Sequence, residues 1–315
     1  MLIAQTRNTN PVSSIFSISL FWLINLGLSV YEVLLSCSNW SDFPIYKILL
    51  ANLSILGTAI LVNRILQQNK LVGVGDVFSG ILFLIFVLAI KDVYQYYGEL
   101  VSLFLITLGN NRLISLYNIK KNHLREFEIG ILYGFSIIIS PGLFLMLIVV
   151  FIGIRLIMSI SWRDFIAPLL GCFCVFFVKY SLLFIFGIWS FNLLPNLSFS
   201  ILKLDFIFDL THLFIAFLLF FSLIVLYKVI TVLEKRSVKD RIFYWLWIWT
   251  LIFLLISLVL FNEGFEKSFL IISLGLPCSI FGTEFFPKKG KSQEFWKKEI
   301  FIYLFIIVQC SLRIY

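Results

Sequence analysis

Two carboxylates near the end of the first apolar segment are the strongest candidates for acid–base chemistry in this sequence. Glu32 lies inside that segment, and Asp42 follows it after a short polar stretch. A carboxylate held against a hydroxyl group can act as a general base and remove its proton. We therefore predict that Glu32 or Asp42 is the catalytic base of a reaction that transfers a group to a hydroxyl. The alternative is that both are ordinary carboxylates of a membrane interface.

A second set of charged residues has the chemistry to bind an anionic substrate. Lys179 lies inside a later apolar segment, where ionisable side chains are rare and are usually functional. It could bind a phosphate or pair with a carboxylate, or its side chain could extend to the lipid headgroups. The predicted substrate-binding residues are Lys91, Asp92, Glu99, Lys179 and Lys203.

Metal and nucleotide chemistry have little support in the sequence. The two histidines, His123 and His212, are too few for a multi-histidine metal site. The five cysteines show no zinc-binding spacing. Gly73 and Gly75 lack the Lys-Ser/Thr pair that completes a phosphate-binding loop. We therefore predict no metal site and no cofactor.

Membrane-spanning helices must position these residues. Hydrophobic residues make up 61% of the 315-residue chain and charged residues 13%, and the mean hydropathy is +1.02. A helix crosses a bilayer with about 20 apolar residues. The sequence contains about eleven apolar segments, at approximately 14–36, 45–66, 76–91, 98–114, 128–139, 141–158, 165–188, 211–232, 242–262, 267–284 and 299–313. The predicted fold class is all-α, a polytopic transmembrane bundle that forms one integral-membrane domain over residues 1–315.

Positive charge alternates between consecutive connections. Of the 25 basic residues, 19 lie at the N-terminus or in the even-numbered connections. The positive-inside rule places those regions in the cytoplasm. This predicts a cytoplasmic N-terminus, a longer outer loop at 189–211 and a basic cytoplasmic loop at 285–298. The first segment is too long for a signal peptide, so we expect it to be retained. The net charge of +8 is then an orientation signal with an attraction to membrane lipids, and it requires no nucleic acid.

Two short helical hairpins are predicted within residues 76–158. The stretches 76–114 and 128–158 are both flanked by basic connections, so each contains an even number of crossings. The second is broken at Ser140–Pro141, because proline ends or kinks a helix. Its first arm, 128–139, would measure about 18 Å, whereas the hydrocarbon core is about 30 Å thick. Short arms leave a water-accessible recess at the outer face, unless their turns lie in the outer interface.

Two stretches of sequence resemble a known but uncharacterised family. LVNRILQQNKL at residues 61–71 and NRLISLYNIKK at residues 111–121 resemble a multi-pass inner-membrane family of Bacteroidota, over roughly residues 45–180. The resemblance implies a location in the bacterial inner membrane and an association with polyprenyl-phosphate-linked sugars.

A third stretch resembles an enzyme class. EFEIGILYGF at residues 126–135, continuing to Pro141 and Leu143, is similar to a stretch of C-type glycosyltransferases. That resemblance implies a cytoplasmic N-terminus and a catalytic carboxylate in the first outer loop. The chain departs from these enzymes because its first outer loop has about nine residues, whereas theirs is long and carries amphipathic helices.

Three hypotheses about function follow. The leading one is a C-type glycosyltransferase-like protein that takes a sugar from a polyprenyl phosphate at the outer face, with a carboxylate base and a lysine that stabilises the leaving phosphate. The others are a non-enzymatic scaffold subunit of a membrane complex, and a transporter of lipids or small solutes. Whether the chain is an enzyme is left open by the sequence. Proximity of Glu32 or Asp42 to Lys91 or Lys179 would favour the enzyme, and scattered carboxylates would favour the scaffold.

Overall fold

The structure, a computed structural model, is all-helical in the residues that it describes, which confirms the predicted class. It describes residues 11–36, 44–73, 76–88, 90–118, 123–157, 161–187, 210–260 and 267–285. The α-helices among them are α1 (Pro11–Ser36), α2 (Ile45–Gln68), α3 (Phe78–Leu88), α4 (Tyr97–Ser115), α5 (His123–Ile139), α6 (Met146–Ile157), α7 (Trp162–Ile185), α8 (Leu210–Leu233), α9 (Val238–Leu260) and α10 (Lys267–Phe285). Short 3-10 helices occupy Val93–Tyr96, Leu116–Asn118 and Pro141–Leu145.

Several of these helices are suited to a membrane. Four stretches are long and apolar enough to cross one: Ile15–Leu34, Ile45–Gln68, Trp162–Ile185 and Val238–Ser257. A fifth is added if Phe78–Leu88 and Val93–Ser115 count as one broken span. Helix α7 exposes large apolar side chains along its length, which fits lipid contact: Leu170, Phe173, Phe177 and Phe184. The chain is therefore a membrane protein. The eleven crossings and their sides stay predictions, and segment 299–313 lies outside the described residues.

The chain forms two compact units. The first comprises Met1–Leu100, Phe206–Arg236 and Ile271–Tyr315, and the second comprises Val101–Asp205 and Ser237–Leu270. Each unit contains part of the predicted hairpin region.

Helix α3 is the central helix of the first unit. All eleven of its residues are buried, because the helix is apolar on every face and α1 and α2 pack against it. Gly275 and Gly282 of α10 lie against Phe86 and Leu82 of α3. With 11 residues, α3 measures only about 16 Å.

Helices α5 and α7 form the closest pair in the second unit. Gly130 of α5 faces the backbone of Pro168 in α7, and Gly134 faces Cys172. Small residues four positions apart let two helix backbones approach each other closely. Because both contacts have the same register, the two helices run parallel and their N-termini lie at the same end of the pair. The charge pattern also predicts that these two helices begin on one side of the membrane.

The predicted interruption of the second hairpin is confirmed. Helix α5 ends at Ile139, Ser140 is extended, and a 3-10 helix begins at Pro141. Helix α5 begins at His123 and has 17 residues, so it is longer than the predicted arm, and α6 has 12. The first turns of α5 and α7 are in contact, since His123 Nδ1 lies 3.5 Å from Asp164 Oδ1 and the backbone carbonyl of Phe127 lies against Gly171.

Candidate functional site

A buried carboxylate and a tight turn meet in the first unit. Glu32 lies four residues before the end of α1 and is 7% exposed. Its Oε2 atom accepts a hydrogen bond from the backbone N–H of Asp92 at 3.2 Å. Asp92 has a φ of 54°, a left-handed conformation that aspartate adopts more readily than most residues. The bond joins two residues that are 60 positions apart and fixes the turn against α1.

An apolar cluster holds this turn between two helices. Tyr94 packs with Val33 of α1 and Ile48 of α2, and all three are buried. Glu32 precedes Val33, and Lys47 precedes Ile48, in the chain. Glu32 contacts Asp92 of the turn, and Lys47 lies over the ring of Tyr97, which directly follows the turn, so an acidic residue of α1 and a basic residue of α2 meet the same segment. We name Glu32, Lys47, Lys91, Asp92 and Tyr97 the Glu32–Asp92 site.

Lys47 is held over two aromatic rings. Its Nζ atom lies 5.9 Å from the ring centroids of both Tyr46 and Tyr97. The two rings pack edge to face, with their centroids 6.0 Å apart. Cation–π attraction of this kind fixes the position of an ammonium group. Lys47 is not among the predicted site residues. The Tyr46–Lys47 pair at the start of an apolar segment, opposite the tyrosines at 96–97, is the signal that could have identified it.

Asn63 anchors the other end of α3. Its Oδ1 atom accepts hydrogen bonds from Ser79 Oγ at 2.6 Å and from Gly80 N at 2.8 Å. These bonds tie the first turn of α3 to α2. Since α3 is fixed at both ends, the turn that follows it has a defined position beside Glu32.

The remaining predicted site residues are distributed as follows. Lys91 is exposed beside Asp92, and Glu99 is half-buried in the first turn of α4. Lys179 is half-buried on α7 in the second unit, with Nζ 5.8 Å from the ring of Tyr180. Asp42 and Lys203 lie outside the described residues. The structure thus brings Glu32 and Asp92 together, with Lys91 next in the chain.

The second unit contains a cluster with the side chains of a metal site. His123 Nδ1 lies 3.0 Å from Glu126 Oε2 and 3.5 Å from Asp164 Oδ1. Both carboxylates are fully buried, whereas the imidazole is 48% exposed. This cluster is not among the predicted sites, because the two histidines of the sequence were weighed only as a multi-histidine set. His-x-x-Glu at the start of a helix places both side chains on one face, which is the signal that could have indicated it.

Comparison with known proteins identifies a family. Residues 12–315 match the profile of a protein family described as a family of unknown function, DUF6427. The chain belongs to the DUF6427 family. This confirms the prediction of an uncharacterised family. Searches of curated proteins and of solved structures found no match to the chain.

The Glu32–Asp92 site gives this DUF6427 protein a defined set of chemical groups. A carboxylate can accept a proton, and an ammonium group can neutralise a phosphate. Tyrosine rings pack on apolar surfaces and present a polar hydroxyl at a membrane interface. Together these groups can accept a proton and neutralise an anionic group.

Proposed function

We propose that this protein is a C-type glycosyltransferase-like enzyme of the bacterial inner membrane that transfers a sugar from polyprenyl phosphate at the outer face. The observation that carries the proposal is the hydrogen bond from Asp92 N to Glu32 Oε2. It orients a buried carboxylate beside a turn that also presents Lys91. The charge pattern of the sequence assigns this end of α1 to the outer side.

In the proposed reaction, Glu32 removes the proton from an acceptor hydroxyl group. The hydroxyl oxygen then forms a bond to the anomeric carbon of the sugar, and the bond from that carbon to the phosphate oxygen breaks. Polyprenyl phosphate leaves with the bonding electrons. Lys91 and Lys47 stabilise the negative charge that develops on its phosphate. Asp42 is the alternative base, and Glu99 is the other proposed contact of the substrate in the first unit. The roles of Lys179, in the second unit, and of Lys203, outside the described residues, stay predictions of the sequence.

Burial supports the choice of Glu32. Water surrounds a carboxylate at the surface and competes with the acceptor hydroxyl group for it. A carboxylate in a nearly closed site meets only the group that is positioned beside it. Glu32 is 7% exposed and is fixed by the backbone N–H of Asp92, which lies in the turn that follows α3. Such an arrangement holds the base in one orientation before substrate binds.

The test is a transfer assay with purified protein in vesicles that contain polyprenyl-phosphate mannose or polyprenyl-phosphate glucose, with native membranes as the source of acceptor. Glu32→Gln keeps the size of the side chain and removes the base, so turnover should fall by about 10²–10⁴-fold. Glu234→Gln, at an exposed position after α8, is the matched control and should keep the wild-type rate. Absence of turnover by the wild-type protein with both donors would overturn the proposal.

A scaffold subunit is the second candidate, and one observation favours it. Arg236 donates two hydrogen bonds of 2.9 Å to the carboxylate of Glu284, which fixes the end of α8 to α10. Lys235, beside this ion pair, is exposed. A fixed basic connection can bind an acidic protein surface. If charge reversal at Lys235 abolishes function in cells while Glu32→Gln does not, the scaffold is the better account.

A further inference from the structure

We propose that His123, Glu126 and Asp164 form a binding site for one divalent transition-metal ion. One imidazole nitrogen and two carboxylate oxygens, from the first turns of α5 and α7, lie within 4.8 Å of one another. These are ligand types that Zn²⁺ and Mn²⁺ accept. The site is separate from the Glu32–Asp92 site, and the inference does not depend on the proposed glycosyl transfer.

The distances between the ligand atoms fit a small cation. Bonds of about 2.0–2.2 Å in a tetrahedral arrangement place neighbouring ligand atoms about 3.4 Å apart. The separations from His123 Nδ1, 3.0 Å to Glu126 Oε2 and 3.5 Å to Asp164 Oδ1, lie on either side of that value. With all ligand atoms within 4.8 Å of one another, the two carboxylates need to approach by at most about 1.4 Å.

The backbone around the cluster holds the ligands in place. Gly130 and Gly171 put the backbones of α5 and α7 in direct contact, which fixes the separation of their first turns. Asp164 Oδ2 accepts a hydrogen bond from Ser161 N at 2.7 Å, so Oδ1 is the oxygen that faces His123. Metal ligands are commonly oriented by such a bond to their second oxygen.

The charge of the cluster favours a divalent ion. Two ionised carboxylates carry a formal charge of −2. Removing these charges from water costs free energy unless a cation lies close to them. The N-termini of α5 and α7 contribute part of the positive potential. A divalent ion neutralises both carboxylates and leaves the imidazole neutral, which is the form that binds metals.

The exposure of His123 determines how the coordination is completed. Sites with three protein ligands keep at least one position for water or another ligand. Because Glu126 and Asp164 are fully buried and the imidazole is half-exposed, the open position lies on the His123 side. Basic residues flank the cluster in the chain at Arg125 and Arg163. We therefore expect water or an anionic group from the aqueous phase to occupy this position.

The experiment uses the full-length protein purified in detergent, stripped with a chelator and dialysed separately against Zn²⁺ and Mn²⁺. Elemental analysis should find about one ion per chain for one of the two metals. Glu126→Gln and Asp164→Asn should lower the affinity at least about tenfold. Glu128→Gln, an exposed position on the same helix, is the matched control for Glu126→Gln and should bind as the wild type does.

His123→Ala keeps the test decisive if the buried variants fail to fold. Its side chain is half-exposed at the first position of α5, so its removal leaves the helix packing in place. Retention of the metal ion should fall in this variant. Co²⁺ bound to the wild-type protein should show a visible absorption that is absent from His123→Ala. If the wild-type protein retains neither ion, or His123→Ala binds metal as the wild type does, the cluster is a group of polar side chains that holds no metal, and the proposal is overturned.

Discussion

Gly130 of α5 lies directly against the backbone carbonyl group of Pro168 in α7. The contact leaves no space for a side chain, so it sets the distance between two parallel helices of the second unit. One turn earlier in each helix, the same register places Glu126 beside Asp164. A close approach of two backbones thus determines the geometry of a charged cluster to which neither residue of the contact belongs.

Gly130→Ala should destabilise the second unit. The added methyl group collides with the backbone of Pro168, and overpacking of this kind costs about 1–3 kcal/mol. Thermal unfolding in detergent should show a lower midpoint for the variant. Gly27→Ala is the control, because nothing lies within 4 Å of a Cβ atom at Gly27. Equal midpoints for Gly130→Ala and the wild type would contradict the packing described for α5 and α7.

Tyr133→Phe should destabilise the same unit for a different reason. Tyr133 donates a 2.6 Å hydrogen bond to Asn110 Oδ1, and both side chains are fully buried. Removal of the hydroxyl group leaves a buried amide oxygen without this donor, at a cost of about 1–3 kcal/mol. Tyr227→Phe changes an exposed tyrosine and should leave the unfolding midpoint unchanged. A midpoint as low for Tyr227→Phe as for Tyr133→Phe would mean that the measured loss is not specific to the buried bond.

Thiol labelling should distinguish two neighbouring residues of the turn beside Glu32. Gln95 is exposed and Tyr94 is buried against Val33 and Ile48. In a background without the native cysteines, Gln95→Cys should react with a membrane-impermeant reagent added from outside, and Tyr94→Cys should react much more slowly. Labelling of Gln95→Cys only after the membrane is opened would place the turn on the inner side and remove the basis of the proposed function.

Reporter fusions test the orientation of the whole chain. Fusions after Lys121, Arg236 and Lys291 should report a cytoplasmic location, because the basic residues of those connections are retained inside. Fusions after Asp42 and Asp205 should report the outer side. A cytoplasmic signal at either of these two aspartates would reverse the assignment of the loops.

The sequence by itself determined that the described elements of this protein are helices. Helices follow from long apolar runs, since the backbone in lipid must satisfy its own hydrogen bonds within each segment. The break after Ile139 follows from Pro141, which cannot continue a helix. These properties depend on residues within one or two helical turns, so they can be predicted without knowledge of the packing.

Only the tertiary structure decided which charged side chains meet. Glu32 and Asp92 are 60 residues apart, and their contact depends on the placement of α3 by Asn63 and α1. The cluster of His123, Glu126 and Asp164 depends on the register in which the glycines of α5 meet the backbone of α7. Helix register is set by close packing between distant segments, and hydropathy carries no information about it, because residues on all faces of a membrane helix are apolar.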